Sequence, residues 1–341
     1  MTVSEAPKQA TPSSGQTHAQ LANLRALVEA DLKRVDAQIL QLVDSHVPLI
    51  PQLASHVIAA GGKRLRPAMT LLSARMCGYG GERHVALAAA IEFIHTATLL
   101  HDDVVDESHL RRGRATANDV WGNKASVLVW DFLLSKAFQL MVADGLTVLK
   151  TLSDASAVIA QGEVLQLLAA HDPETTEERY FEVITAKTAT LFAAACQVGA
   201  EVAERDEYVE PLRRYGLSLG IAFQLVDDAL DYAAEQEALG KTIGDDFREG
   251  KITFPVIAAY AAGDGAEKTF WKQVMDEDAQ QKPEDLQHAM TLISRHDAIA
   301  KTVKKAEFYC QEAREALRIF PECAEKRALL ETVDFCVERV Y

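Results

Sequence analysis

The chain has 341 residues, enough for two domains at about 150 residues each, yet no linker-like stretch divides it. Hydrophobic residues make up 48% and aromatics only 7%, with abundant alanine, which favours closely packed helices over a β-sandwich. Fifty acidic against 35 basic side chains give a net charge of −15, which argues against a nucleic-acid partner but leaves room for a phosphate ligand held by local basic clusters.

Met1 to Gln20 is polar, rich in Ser, Thr and Gln, and lacks the apolar segment of a signal peptide. It reads as a disordered tail ahead of one all-α domain over 21–341. No apolar run approaches the ~20 residues of a membrane span, so no transmembrane segment is expected. The five cysteines are scattered and form no CxxC pair, the pattern of reduced cytosolic thiols, so the expected location is the cytoplasm.

From about Leu21 onward, apolar residues recur at three- and four-residue spacing, as in Leu32, Val35, Ile39, Leu42 and Val43. Breakers divide the pattern at Gly61-Gly62, Gly78 to Gly81, Asp172-Pro173, Pro211, Gly263 to Gly265 and Pro321. Between them lie roughly ten to twelve helices. The first charged cluster is Lys63, Arg64 and Arg66 in GGKRLRP, after a flexible glycine turn.

A long helix is predicted from about His84 to Asp106, about 35 Å at 1.5 Å per residue. It is apolar nearly all round, as a central buried helix would be, yet it ends in Asp102, Asp103 and Asp106. Asp102 and Asp106 lie one above the other, where like charges repel by a few tenths of a kcal/mol. A helix C-terminus adds about 0.3–1 kcal/mol against an acid. The same pattern returns at Asp227, Asp228 and Asp231, closing a second apolar run from Gly216. A bound cation relieves both penalties, and oxygen-only ligands point to Mg²⁺. A single DDxxD reads most simply as a solvated acidic helix end; two, each closing a long apolar helix, do not. Arg111, Arg112 and Arg114 follow the first cluster, and Lys241 and Lys251 bracket Gly244 to Arg248 beyond the second. Cations beside acid clusters in so acidic a chain point to phosphate clamps, and two sets of each suit two diphosphates and several metals.

At these residues the sequence resembles the trans-isoprenyl diphosphate synthase, or polyprenyl synthetase, family. The matching motifs run in the family's order: GGKRLRP (Gly61 to Pro67), LLHDDVVDESHLRRG (Leu99 to Gly113), Lys187-Thr188, FQLVDDALD (Phe223 to Asp231) and GKTIGDDFREGK (Gly240 to Lys251). The resemblance implies an all-α bundle around a deep cavity, usually a homodimer. It implies that Asp102, Asp103, Asp106, Asp227, Asp228 and Asp231 hold Mg²⁺, three ions per site with Mn²⁺ able to substitute. Lys63, Arg66, His95 and Arg112 match the isopentenyl diphosphate pocket. Arg111, Lys187, Thr188, Gln224, Lys241 and Lys251 match contacts to the allylic diphosphate. The implied reaction ionises the allylic diphosphate, adds isopentenyl diphosphate and loses a proton. In the family, bulky side chains one turn before the first DDxxD block the product tunnel. Here Ala97 and Thr98 are small, which favours a long product such as a quinone side chain, with transient membrane contact on release. A deeper floor would involve Phe93, Phe132 or Phe138.

One departure stands out: family members usually carry glycine where this chain has Trp130, and overpacking by a large side chain typically costs about 1–3 kcal/mol. Three rivals remain. A class I terpene cyclase usually has one DDxxD and a second motif of another type. An HD-type phosphohydrolase using His101-Asp102 would need His84 or His171 as further ligands. A non-catalytic subunit of a heteromeric synthase would commonly have lost motifs that are retained here.

Overall fold

The computed structural model describes residues 14–59, 63–111, 113–233 and 244–339. Helices α1 (Ser14–Val43), α2 (Leu49–Ala59) and α3 (Leu65–Met76) lead into the long α4 (Arg83–Val105). A two-stranded hairpin, β1 (Leu110–Arg111) and β2 (Arg114–Ala115), follows, with Arg111 paired to Arg114. Then come α5 (Ala117–Trp121), α6 (Asn123–Asp144), α7 (Leu146–Ala169) and α8 (Glu177–Ile184). A π-helical turn, Thr185–Ala189, joins α8 to α9 (Thr190–Val202), and α10 (Asp206–Asp231) carries the second aspartate motif. The rest is α11 (Asp245–Arg248), α12 (Phe254–Ala262), α13 (Gly265–Val274), α14 (Pro283–Arg295), α15 (Ala298–Ala316) and α16 (Ala324–Glu338).

The all-α expectation holds, with more helices among the described residues than the ten to twelve expected, because short segments such as α5 and α11 carry too few turns to show periodicity. One continuous cluster of buried apolar side chains runs from Leu24 on α1 to Cys336 on α16. Helix α10 packs against α9 and α15, and α4 against α6. This stacking sets the C-terminal ends of α4 and α10, with their aspartates, at one end of the bundle.

Three expectations need correction. Helix α1 begins at Ser14, inside the stretch read as a tail. Pro211 is no boundary: it lies in the second turn of α10, where it forfeits one backbone hydrogen bond while Leu212 and Tyr215 beside it are fully buried. Finally, among the described residues three helices are long and apolar enough to cross a membrane by length and composition: Arg83–Val105, Asn123–Asp144 and Glu177–Val202. In the first and third, 72% of the apolar window is buried within the fold, whereas in Asn123–Asp144 only 33% is. A helix wrapped by neighbours reads like a membrane span because both are apolar all round.

Candidate active site

A cavity of about 240 Å³ lies between the two aspartate-bearing helix ends. Its wall includes Asp102, Asp106, Asp228 and Asp246 facing Arg111, Lys187 and Lys251. The sequence brings the cations in from three directions. The hairpin turns Arg111 back so that its guanidinium donates to Asp103 at 2.7 Å. Lys251 donates to Asp106 at 2.8 Å. The Lys187 ammonium stands 3.5 Å from Asp102 Oδ1 and donates to Glu163 of α7 at 2.7 Å.

Lys187 and Thr188 occupy the π-turn, whose extra residue per turn swings both side chains towards the cavity. Two glycines let helices close on that turn. A Cβ on Gly162 of α7 would meet the Lys187 backbone nitrogen at 2.7 Å, and one on Gly220 of α10 would meet the Ala189 Cα at 2.6 Å. A polar chain then crosses to α10: the Thr188 hydroxyl donates to Gln224 (2.9 Å), whose amide donates to Asp228 (2.7 Å). The Tyr180 hydroxyl donates to the other Asp228 oxygen at 2.6 Å.

The acids differ in environment. Burial pushes the Asp228 carboxyl well up, with neighbours Asp227 and Asp231 adding to the rise against Tyr180 and Gln224. Burial also raises Asp231, against the backbone N–H groups of Asp246 and Asp245, which cap α11 on its carboxylate. Asp246 is raised by burial and by Asp231 and Asp228. Burial raises Asp103 despite Arg111. Burial and the Asp102 charge push the Glu163 carboxyl up to about 7, against the pull of Lys187. Burial alone would lower Lys251, but Asp106 and Glu249 outweigh it and hold the ammonium charged. Among the described residues, no three acidic, His or Cys side chains are drawn into a ready-made metal cluster. The donors nevertheless fit a hard divalent cation: Asp102 Oδ1 is buried without a hydrogen-bond partner, and Asp102 and Asp106 are stacked carboxylates on one wall.

The other basic set forms a separate group at α3 and α16. Arg66 donates to His95 Nε2 at 3.2 Å and lies 4.2 Å over the Phe192 ring, and its pKa is lowered to about 10 by burial, against Glu92 and Asp227. Lys63 Nζ stands 4.5 Å over Phe335. Arg64, in contrast, turns away to pair with Glu92 and Asp36. Asp227 faces this side and accepts from Arg339 at 2.6 Å, with that guanidinium 4.8 Å over Phe223. Arg112 and Lys241, together with Gly61 and Gly62, lie outside the described residues.

Sequence reasoning missed Glu163, Tyr180, Asp246 and Arg339. Asp246 had a signal, since it lies in the same GDDFREGK motif as Lys251. The others are isolated residues with no pattern around them. Ala97 is buried at 1% exposure and the Thr98 hydroxyl donates to the His95 carbonyl at 2.8 Å, and neither lines the cavity. Of the floor candidates, Phe93 is buried and Phe138 is 38% exposed. Trp130 packs on His101 with ring centroids 5.5 Å apart. The phosphohydrolase reading fails on geometry: His101 stacks on Trp130, His84 bonds to Asp31 (3.1 Å) and His171 to the Met275 carbonyl (3.0 Å), so the three never converge.

Residues 47–293 match the polyprenyl synthetase family. The chain is 43% identical over 320 residues to octaprenyl diphosphate synthase of Haemophilus influenzae, covering 93% of this chain and 97% of that protein. A decaprenyl diphosphate synthase from Rhodobacter capsulatus superposes with a TM-score of 0.90 at 50% identity, covering 94% of this chain and 99% of that one. A polyprenyl synthase from Caulobacter crescentus, complexed with calcium and isoprenyl diphosphate, superposes with a TM-score of 0.90 at 47% identity, covering 98% and 100%. The chain therefore belongs to the polyprenyl synthetase family of trans-prenyltransferases, whose members use a divalent metal and isoprenoid diphosphates.

Proposed function

We propose that the chain condenses isopentenyl diphosphate with an allylic diphosphate, repeatedly and head to tail, to an all-trans product in the octaprenyl to decaprenyl range that serves as a quinone side chain. What carries this reading is the cavity in which Asp102, Asp106 and Asp228 face Arg111, Lys187 and Lys251. Carboxylates and cations on opposite walls of one small cavity suit a diphosphate bound through divalent metal.

In this reading Asp102, Asp103 and Asp106, with Asp227, Asp228 and Asp231, hold Mg²⁺, three ions per site, which when bound supplies a Lewis acid for the leaving diphosphate. Arg111, Lys187 and Lys251 bind and orient the allylic diphosphate, joined by Lys241. Thr188 and Gln224 keep Asp228 in register through their hydrogen-bond chain. Lys63, Arg66 and His95, with Arg112, bind isopentenyl diphosphate. The allylic C1–O bond breaks, C4 of isopentenyl diphosphate bonds to C1, and a proton leaves C2. Apolar side chains on the cavity wall, Ala169 of α7, Val183 and Ile184 of α8 and Ile252, exclude water from the cationic carbon.

A homodimer completes the reading. Leu128 and Val142 on α6 are 67% and 64% exposed, and Leu167 and Leu168 on α7 are 59% and 70% exposed, large apolar side chains that a second copy would cover. The enzyme works in the cytoplasm and touches the membrane transiently to release product. The test incubates purified protein with Mg²⁺, labelled isopentenyl diphosphate and an allylic primer, sizing the product by chromatography. Long all-trans chains are expected. A cyclised hydrocarbon, or no incorporation without a partner subunit, would overturn the reading.

A further inference from the structure

Glu163 has no role in the chemistry described above, yet it is drawn into the site. Its side chain is 13% exposed and accepts from Lys187 at 2.7 Å. Lys187 already had a carboxylate within reach, since Asp102 lies 3.5 Å away. A second buried carboxylate is not needed to neutralise one ammonium. It carries a cost, because Glu163 Oε1 and Asp102 Oδ1 are both buried without a hydrogen-bond partner. The fold also goes out of its way to bring Glu163 here. Its neighbour Gly162 is where α7 touches the π-turn backbone, with no room for a Cβ.

The asymmetry of the two contacts is informative. Lys187 makes its hydrogen bond to Glu163, and its contact with Asp102 is too long for one. Asp102 Oδ1 thus keeps its lone pairs while remaining on the cavity wall. If Glu163 lost its charge, the ammonium would be drawn onto Asp102, where it would compete with a cation for the same oxygen.

We propose that Glu163 is a positioning residue: it anchors the Lys187 ammonium away from Asp102, keeping that carboxylate available to a divalent cation and the ammonium's remaining protons aimed at the diphosphate cavity. The inference rests on the assignment of Asp102 and Lys187 to the allylic diphosphate site.

The test measures binding without turnover. Calorimetry follows an allylic thiodiphosphate, which does not ionise, binding to the full-length protein across a Mg²⁺ series. Glu163→Gln keeps the shape and removes the charge. The expected result is a Mg²⁺ midpoint about tenfold higher than wild type, the effect of one charge-assisted contact. The KM for isopentenyl diphosphate and the melting temperature should stay unchanged. In a Lys187→Gln background, Glu163→Gln should add no further shift, because the effect runs through the lysine. An unchanged midpoint overturns the proposal. So does a shift that persists without Lys187, which would mean that Glu163 meets the cation itself. A fall in melting temperature with equal loss for both substrates would reduce Glu163 to a structural residue and also overturn it. Should Glu163→Gln fail to fold, Glu163→Asp, which retains charge but withdraws it, must show a smaller rise, and no rise overturns the idea. Wild-type protein that bound the analogue independently of Mg²⁺ would instead sink the site assignment, and this inference with it.

Discussion

Lys251 donates a hydrogen bond of 2.8 Å to Asp106, joining residues 145 positions apart in the chain. The contact ties the segment after α11 to the end of α4, so the last motif closes over the first. Neither residue is exposed, and the pair holds together two walls of the cavity.

The aspartates should separate activity from stability. Asp102→Ala should lower turnover by orders of magnitude, because a bound metal contributes several kcal/mol of transition-state stabilisation. It should not weaken the fold, since Asp102 Oδ1 has no hydrogen-bond donor to lose and Lys187, 3.5 Å away, keeps its hydrogen bond to Glu163. Asp228→Ala should cost both, because Tyr180 and Gln224 would be left without their acceptor. A buried group so orphaned costs about 1–3 kcal/mol. Denaturant melts beside steady-state rates check this, and equal stability of the two variants would contradict the hydrogen-bond accounting.

The two basic groups should separate by substrate. Lys63→Ala should mainly raise the KM for isopentenyl diphosphate, and Lys187→Ala that for the allylic primer, each by roughly 10- to 150-fold for a lost contact of about 1.5–3 kcal/mol. Arg66→Ala should also reduce stability, because the guanidinium is packed on Phe192 and bonded to His95. Michaelis constants that rise together in all three would merge the two pockets into one.

His84 predicts how the fold responds to acid. Burial lowers its pKa, against the pull of Asp31. Its Nε2 is 3.1 Å from Asp31 and its Nδ1 has no partner, so a second ring proton would be stranded. The native state resists that proton while the unfolded chain accepts it near pH ~6.5. Stability is therefore retained above about 6.5 and lost as pH falls through that value towards the lower native pKa. Asp31, whose own burial is outweighed by His84 and Arg75, is also lowered, and its contribution is lost only at more acid pH. Urea melts between about pH 5 and 7.5 should show a slope that His84→Gln flattens, and parallel curves would remove His84 from the account.

Product length should depend on Ala97 and Trp130 together. Ala97 and His101 are one turn apart on α4, and Trp130 packs on His101 at 5.5 Å. The two residues therefore flank the same stripe of α4. Ala97 is buried behind the cavity wall, so Ala97→Phe should push that stripe inward and stop elongation at about three or four isoprene units, because a packed interior yields little. Trp130→Gly should lengthen the product if that stripe lines the tunnel. Chromatography of the products reads both, and a parent-length product from Ala97→Phe would remove α4 as the tunnel wall.

What can be read from the sequence is what local geometry dictates. A helix puts Asp102 and Asp106 on one face, and apolar periodicity announces α4 and α10, so the all-α class and both aspartate motifs are legible in residue spacing alone. Motif order and the family resemblance extend this to Lys187 and Lys251. Packing across the chain is another matter. The Glu163 contact with Lys187 and the Arg339 contact with Asp227 depend on which helices meet and how closely, and glycines such as Gly162 decide that only once the partner backbone is in place. The same holds for direction: Arg64 and Arg66 are two residues apart in GGKRLRP, yet one turns to Glu92 and the other to His95. Apolar runs mislead for a related reason, since hydrophobicity records that a helix is shielded from water and not whether protein or lipid does the shielding. Spacing reports what one element presents to its surroundings, and only the tertiary structure decides what stands opposite, because that contact is set by the closure of the whole bundle.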